Sequence, residues 1–417
     1  MAARIACLDL DTFFVSVERL LDPSLVGQPV VVGGRKGSRG VVTSASYEVR
    51  TLGVRSGMPM MEAARLAPNA IFVPTRHDTY GPYAAQVRAV LERYCPVVRT
   101  ASIDEFFLDF AGCERLYARP GDIDADATIL RVVRELREAI QAEVKLPASV
   151  GIGTTRPVAK MASGRAKPAG VLLVRAGEER AFAGPLPVRR YPGIGPVAEA
   201  RLAGMGITTL GQLLEVPDED ARVGALAASL RVGLGAGLRA GGGTRLPERD
   251  RPAFQEHDAS AEGSLSNERT FFVDVGDTLV AEDALRALAE RVTWRLRRRG
   301  ARARTITLKL RFADFTTITR GRSVPPTHNE SDVLAVVFDL LRGAWPKRAR
   351  IRLLGVQLSN LVEPDPQVAL FAPPRPRMGA AIDAVRDRFG YDAIRMGAVA
   401  RPGAEAGVVG RAGSRVR

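Results

Sequence analysis

The spacing of apolar and polar residues divides the chain into two textures. In the first, strand-like and helix-like periods alternate. IACLDLDTFF, beginning at Ile5, reads as a strand of mixed polarity that runs into aromatics, and a helix is predicted from Thr12 or Phe13 to Leu21. PVVVGG is a short β-rich run closed by glycines, and RGVVTSASYEVRTLGV predicts a strand that turns into a helix. MPMMEAARLAP reads as a helix stopped by proline, and residues 79–93 and 124–143 as amphipathic helices. VVRTASIDEFFLDF reads as two short strands around a tight turn, and PASVGIGTTR as a strand opening into a glycine-containing loop. This alternation predicts an α/β or α+β core.

From about Gly184 the pattern changes. YPGIGPVAEARLAGMGITTLGQLL is helical and punctuated by glycine, and GAGLRAGGGTRLPERDRP, near residues 235–252, has the glycine, proline and charge of a linker. Beyond it, ERTFFVDV and ARTITLKLRFADFTTITRGRSV read as strands, DVLAVVFDLLRGAW as a helix and RIRLLGVQLSNL as a strand, which predicts a separate α+β domain. A last helix, MGAAIDAVRDRFG, precedes a glycine- and arginine-rich end expected to be disordered.

Composition narrows the partners. The length of 417 residues exceeds one ordinary domain, and the net charge of +14 favours a polyanion without choosing between nucleic acid and anionic lipid. Asp9 and Asp11 interrupt the N-terminal apolar stretch, so no signal peptide is expected, and no apolar run is long enough to span a membrane. A soluble cytoplasmic protein is the expectation. Cys7, Cys95 and Cys113 are too dispersed for a disulfide framework or zinc knuckle, and His77, His257 and His328 read as surface or packing residues.

The candidate chemistry begins with acids in apolar surroundings. Asp9 and Asp11 alternate on the first strand and so share a face, among Ile5, Leu8 and Leu10; Asp104 and Glu105 sit between Ile103 and Phe106–Phe107. Carboxylates so placed are costly unless paired or bound to a cation, and Mg²⁺ takes a few carboxylates together with phosphate oxygens. Spacing alone leaves metal binding and strand-edge placement both open. Phe13 and Phe14 follow the acids and are equally suited to core packing. Tyr47 and Arg50, three apart, face one side of a helical turn and could donate to phosphates. Gly193 and Gly195 fit a hairpin whose backbone N–H groups approach a phosphate, or a plain helical hairpin. In WRLRRRGARARTITLKLR, alternation puts Thr305, Thr307, Lys309 and Arg311 on one face of a strand and Ile306, Leu308 and Leu310 on the other. With Arg295, Arg297, Arg298, Arg299, Arg302, Arg304 and, further on, Arg320, this is a cationic platform suited to phosphates or a solvated charged face.

LDLDTFF followed much later by SIDEFFLD resembles the Y-family DNA polymerases, in their bacterial polymerase IV branch. The resemblance runs from about Arg4 to Phe371 and weakly through RDRFGYDAI. It implies a multidomain α+β fold, a right-hand polymerase with palm (1–11 and 76–170), fingers (12–75), helical thumb with helix-hairpin-helix (171–235), linker (236–262), C-terminal α+β little finger (263–375) and tail (376–417). It implies two Mg²⁺ ions per active site, held by Asp9 and Asp104, by Glu105 nearer the primer hydroxyl, and by the backbone carbonyl of Leu10. Asp11 matches a motif acid but is less firmly a ligand. Phe14 takes the position of the steric gate against ribose 2′-hydroxyls, beside Phe13; Tyr47 and Arg50 are matched to the triphosphate grip, completed by Lys160. The chain departs from the family at Thr155–Arg156, where relatives have Asn-Lys, and at Val158, where they have Leu, while Lys167, Pro168 and Gly170 still fit. Gly193, Gly195, Arg297, Arg298, Arg304, Lys309, Arg311 and Arg320 become DNA contacts, and Gln367, Leu370 and Phe371 a clamp-binding peptide. The implied protein is a monomeric, low-fidelity, template-directed DNA polymerase without a proofreading exonuclease. Its expected partners are primer-template DNA, deoxynucleoside triphosphates and a sliding clamp. A non-catalytic relative acting as a DNA-binding accessory is the alternative, and the presence of all three acids argues against it.

Overall fold

The computed structural model describes residues 4–235, 263–346, 348–363 and 378–395. It divides into two compact units, Met1–Gln255 and Glu256–Arg417. The strands of the first unit are β1 (Ile5–Leu10), β2 (Val30–Gly33), β3 (Val42–Ala45), β4 (Ile71–Pro74), β5 (Val98–Thr100), β6 (Glu105–Asp109), β7 (Ala148–Gly153) and β8 (Val171–Leu173). Those of the second are β9 (Ser264–Val275), β10 (Arg302–Phe312), β11 (Thr317–Thr327) and β12 (Ile351–Val362).

β1 lies at the centre of a five-stranded sheet in the order β5-β6-β1-β7-β8, antiparallel to both neighbours. It is apolar on both faces because both are covered. Ala6, Leu8 and Leu10 join Val87, Leu91, Ile129, Val132 and Leu136 in a core with the helices His77–Tyr94 and Ala125–Glu143. The second of these starts at Asp124, whose carboxylate accepts the Ala127 N–H at 2.7 Å as an N-cap. Ile5 and Cys7 face the other way, packing with Phe107 and with Ala159 of the helix Arg156–Ala166. That helix sits flush on the sheet because β7 offers Gly151, where an added Cβ would lie 2.0 Å from the Ser163 nitrogen. The helix covering the Asp9 side of the sheet is therefore fixed closely over it.

A small sheet, β3-β2-β4, packs with the helices Phe13–Leu21 and Met60–Leu66 around Val31, Val42, Val49 and Met60 in one core and Val15, Val30 and Val32 in another. In the first unit the elements described beyond β8 are helical, and the segments Pro196–Ala203, Leu210–Leu214 and Gly224–Gly233 share a core of Leu202, Leu210, Leu213 and Leu230.

The second unit is an antiparallel sheet, β11-β10-β12-β9, with the helices Thr278–Arg298 and Glu330–Ala344 packed on it. The predicted alternation in β10 is present: Ile306, Leu308 and Leu310 are buried, while Thr305, Thr307, Lys309 and Arg311 are half-exposed. The long helix from Thr278 was not among the elements read from the sequence, although Ala281, Leu285, Leu288, Val292 and Leu296, all buried, recur at helical spacing. The tail helix, Met378–Phe389, packs into this unit through Arg386, which has no exposed side-chain surface. No helix among the described residues is long and apolar enough to cross a membrane.

Candidate active site

Strand pairing brings the distant acids together. In the β1–β6 register Asp9 stands opposite Glu105, and the Leu10 N–H donates to the Asp104 carbonyl at 2.9 Å. Glu105 is buried; Asp9 and Asp104 are half-buried. Asp9 belongs to the face of Ile5 and Cys7, so the helix Arg156–Ala166 supplies its surroundings. From that helix Lys160 sets its Nζ 2.9 and 2.7 Å from the Glu105 carboxylate oxygens. Just beyond it, Lys167 places its Nζ 2.5 Å from Asp9 Oδ1.

Burial still holds the Asp9 carboxyl above the usual carboxylate range; Lys167 opposes that rise, and the charges of Asp104 and Glu105 add to it. Burial acts to lower the Lys160 pKa, but the Glu105 hydrogen bond and charge carry it above its ordinary value. The neighbouring Cys7 thiol is pushed far up by burial and by Glu105. Among the described residues no three His, Cys, Asp or Glu side chains form a ready-made metal cluster. The donors nevertheless suit a hard divalent cation: carboxylate oxygens brought together from two paired strands and a nearby backbone carbonyl.

A cleft of about 120 Å³ opens beside these acids, lined by Asp9, Leu10, Asp104, Phe14, Thr43, Ser44, Arg50 and Lys167 among others. Phe14 stacks on Tyr80 with centroids 4.2 Å apart, and the Tyr80 hydroxyl, itself buried, donates to Glu18 at 2.7 Å. The ring is thus held from behind. Phe13 is 3% exposed and packs in the core, and it too lines the cleft. Arg50 donates from Nε to the Ala45 carbonyl at 2.9 Å, and its guanidinium lies 5.1 Å from the Tyr47 ring. Sequence reasoning put Lys160 in the phosphate grip. The structure rests its ammonium on Glu105 and also brings Lys167 to the cleft wall. Alternation also placed Asp11 beside Asp9, but β1 ends at Leu10 and Asp11 is 1% exposed, bonded to Tyr47, Ser149 and Ala169.

The expected DNA contacts divide similarly. Gly193 adopts a φ of 98°, which favours glycine, in the turn before the helix Pro196–Ala203, and Val197 there is exposed. Arg304 and Arg320 are exposed. Lys309 pairs with Glu268 at 2.8 Å, and Arg311 donates to the Thr317 hydroxyl at 2.8 Å. Arg298 remains largely exposed, 3.9 Å from Asp387. Arg297 does not fit the expectation: its guanidinium is buried against Asp383 and Glu330 at 2.6 and 3.0 Å and donates to the His328 carbonyl. Its place is structural, because it ends a helix whose C-terminal turn receives the tail. Gln367, Leu370 and Phe371 lie outside the described residues.

Acids gathered at the end of a central strand, an aromatic held beside them in a cleft with two cations, and a separate sheet with a cationic face together define a nucleotidyltransferase of the right-hand polymerase kind. Residues 8–164 match the impB/mucB/samB family, and residues 262–370 match the C-terminal domain of that family. The chain is 35% identical over 399 residues to DNA polymerase IV of Dehalococcoides mccartyi, covering 94% of this chain and 97% of that one. It is 37% identical over 418 residues to DNA polymerase IV 2 of Mesorhizobium japonicum, covering 95% and 94%. Among solved structures, a Y-family DNA polymerase chimera aligns with a TM-score of 0.71 at 25% identity, over 87% of this chain and 100% of that one. DinB from Sulfolobus solfataricus aligns at 0.52, with the same identity and coverage. The chain belongs to the Y-family DNA polymerases, in the DNA polymerase IV branch, and is a DNA-directed DNA polymerase.

Proposed function

We propose that this polymerase extends a primer opposite damaged as well as intact templates, by attack of the primer 3′-hydroxyl on the α-phosphate of a paired deoxynucleoside triphosphate, with release of pyrophosphate and without proofreading. The observation that carries the reading is the β1–β6 register, which sets Asp9 opposite Glu105 and ties Leu10 to Asp104. Asp9, Asp104, Glu105 and the Leu10 carbonyl would hold two Mg²⁺ ions, which when bound supply activation of the hydroxyl and stabilisation of the leaving group. Lys160 and Lys167 occupy the same carboxylates by charge and hydrogen bonding and give way to stronger cations. Arg50, with Tyr47 behind it, Lys167 and, once released from Glu105, Lys160 orient the triphosphate; the ring of Phe14 excludes a ribose 2′-hydroxyl. Thr43 and Ser44, small residues on the cleft wall, leave room above a distorted base pair.

The glycine turn at Gly193–Gly195, the exposed cations Arg298, Arg304 and Arg320 of the second unit and its half-exposed Lys309 and Arg311 hold the duplex by its phosphates. Gln367–Phe371 anchors in an apolar pocket of a ring-shaped clamp, and the polymerase acts as a monomer in the cytoplasm, where its DNA substrate lies. The test of the central reading is primer extension with Mg²⁺ and each deoxynucleotide. Asp104→Ala is expected to lose extension by about 10³-fold or more; extension equal to that of the unaltered enzyme overturns the assignment.

A further inference from the structure

Asp11 has no part in the chemistry proposed above, yet its carboxylate is as buried as the core, at 1% exposed. A carboxylate in such a place is costly unless its oxygens are well occupied. Here Oδ1 accepts the Tyr47 phenol at 3.0 Å, and Oδ2 accepts the Ser149 hydroxyl at 2.8 Å and the Ala169 N–H at 2.7 Å. All three donors are neutral, and they belong to three segments remote in sequence: the helix Tyr47–Arg50, strand β7 and the turn that follows Lys167. Its own backbone is fixed as well, since the Asp11 N–H donates to the Pro147 carbonyl at 2.9 Å and the Asp11 carbonyl accepts the Ser16 hydroxyl at 2.7 Å.

From this carboxylate two paths lead to the cleft. Along one, the phenol fixes the Tyr47 ring, which lies 5.1 Å from the Arg50 guanidinium, and Arg50 lines the cleft. Along the other, the Ala169 N–H fixes the backbone two residues from Lys167, which also lines it. The two cations on that wall come from different parts of the chain, and Asp11 is where their supports meet.

We propose that Asp11 is a positioning residue that sets Arg50 and Lys167 together for the triphosphate of the incoming nucleotide, and that it is not a ligand of the divalent cation. The proposal rests on reading the cleft as the nucleotide site. With the support of Arg50 and the backbone beside Lys167 fixed beforehand, little rearrangement is left once the divalent cation frees the Lys167 ammonium from Asp9, and fixed polar groups contribute most when charge shifts on the phosphates. Replacing Asp11 by Asn keeps the volume but leaves one acceptor oxygen for three donors, so the supports loosen without a cavity being made.

The experiment is single-nucleotide insertion on primer-template DNA by the full chain, comparing Asp11→Asn, Ser149→Ala and Tyr47→Phe with the unaltered enzyme. Four quantities are read: KM for the deoxynucleotide, Mg²⁺ half-saturation, DNA affinity and Tm. Asp11→Asn is expected to raise KM about tenfold, the effect of loosening hydrogen bonds to a charged group, with Mg²⁺ half-saturation and DNA affinity unchanged. Ser149→Ala, which removes one of the donors, raises KM in the same direction by less. Adding Tyr47→Phe to Asp11→Asn raises KM by less than Tyr47→Phe does alone, because the bond is shared. A shift in Mg²⁺ half-saturation would make Asp11 a ligand and overturn the proposal. So would a fall in Tm with KM unchanged, in Asp11→Asn or, if that variant does not fold, in Ser149→Ala. Equal insertion by Asp104→Ala would instead remove the nucleotide-site reading beneath it, so the two failures are separable.

Discussion

In the first unit Asp9 and Glu105 meet the ammonium groups of Lys167 and Lys160; in the second, Glu290 and Glu330 meet the guanidinium groups of Arg386 and Arg297. The residue types are nearly the same and the consequences are opposite. Lys160 keeps 45% of its side chain exposed and Lys167 24%, so each is a point charge on a flexible stem that can leave when a divalent cation arrives. Arg386 is fully buried, with Tyr391 stacked 4.5 Å from its guanidinium, and Arg297 is 11% exposed and grips Asp383 through two nitrogens. That network cannot be exchanged without unfolding what it joins. One cluster stores negative charge for use; the other spends its charge on fastening the tail helix.

The largest effect expected on stability is therefore in the second unit. Arg386→Met removes the buried Arg386–Glu290 pair and should destabilise that unit by about 3–5 kcal/mol, seen as an earlier urea transition with insertion kinetics still measurable at low temperature. A transition at the original urea concentration would show the network to be dispensable. The largest effect on selectivity belongs to Phe14→Ala, which should raise ribonucleotide incorporation on the order of 10²-fold; unchanged sugar discrimination would remove the gate assignment.

A smaller effect is expected from pH. Asp9 is held above the usual carboxylate range by burial, so the folded state binds its proton more readily than the unfolded chain. Its contribution to stability thus grows as pH falls through the folded value and is lost above it, while cation binding needs the ionised form. Insertion should begin to fall at a pH above the ordinary aspartate range, and raising Mg²⁺ should move that fall to lower pH. An acid limb indifferent to Mg²⁺ would count against Asp9 as a ligand. The smallest effects concern DNA. Arg304→Ala and Arg311→Ala should each reduce the salt slope of binding by about 0.9, whereas Arg297→Ala should leave the slope alone and lower Tm. The reverse pattern would return Arg297 to the DNA-binding face.

What could be read from the sequence follows the same division. Short-range periodicity reached most of the strands (though not β4 or β8), most of the helices and the two faces of β10, because alternation from Ile306 to Leu310 is a local record of one covered side. The acids Asp9, Asp104 and Glu105 were legible as a motif, though only strand pairing explains why they meet. Partner choice was not legible. Arg297 sits in a run of arginines that differ by which side of the helix they leave from and by an Asp383 far along the chain. Lys160 and Lys167 are both lysines after β7, and only the helix laid over the sheet decides that one reaches Glu105 and the other the cleft. Asp11 was misplaced because the strand stops one residue early, at Leu10.

The claim that the first cluster holds its charge for chemistry is tested most directly by single-turnover insertion of one deoxynucleotide by Glu105→Gln, with Tm measured on the same sample. The account predicts insertion slowed on the order of 10³-fold with Tm within a degree or two of the unaltered enzyme, since half-exposed Lys160 tolerates a neutral partner. Retained insertion, or a loss of Tm comparable to that of Arg386→Met, would contradict it.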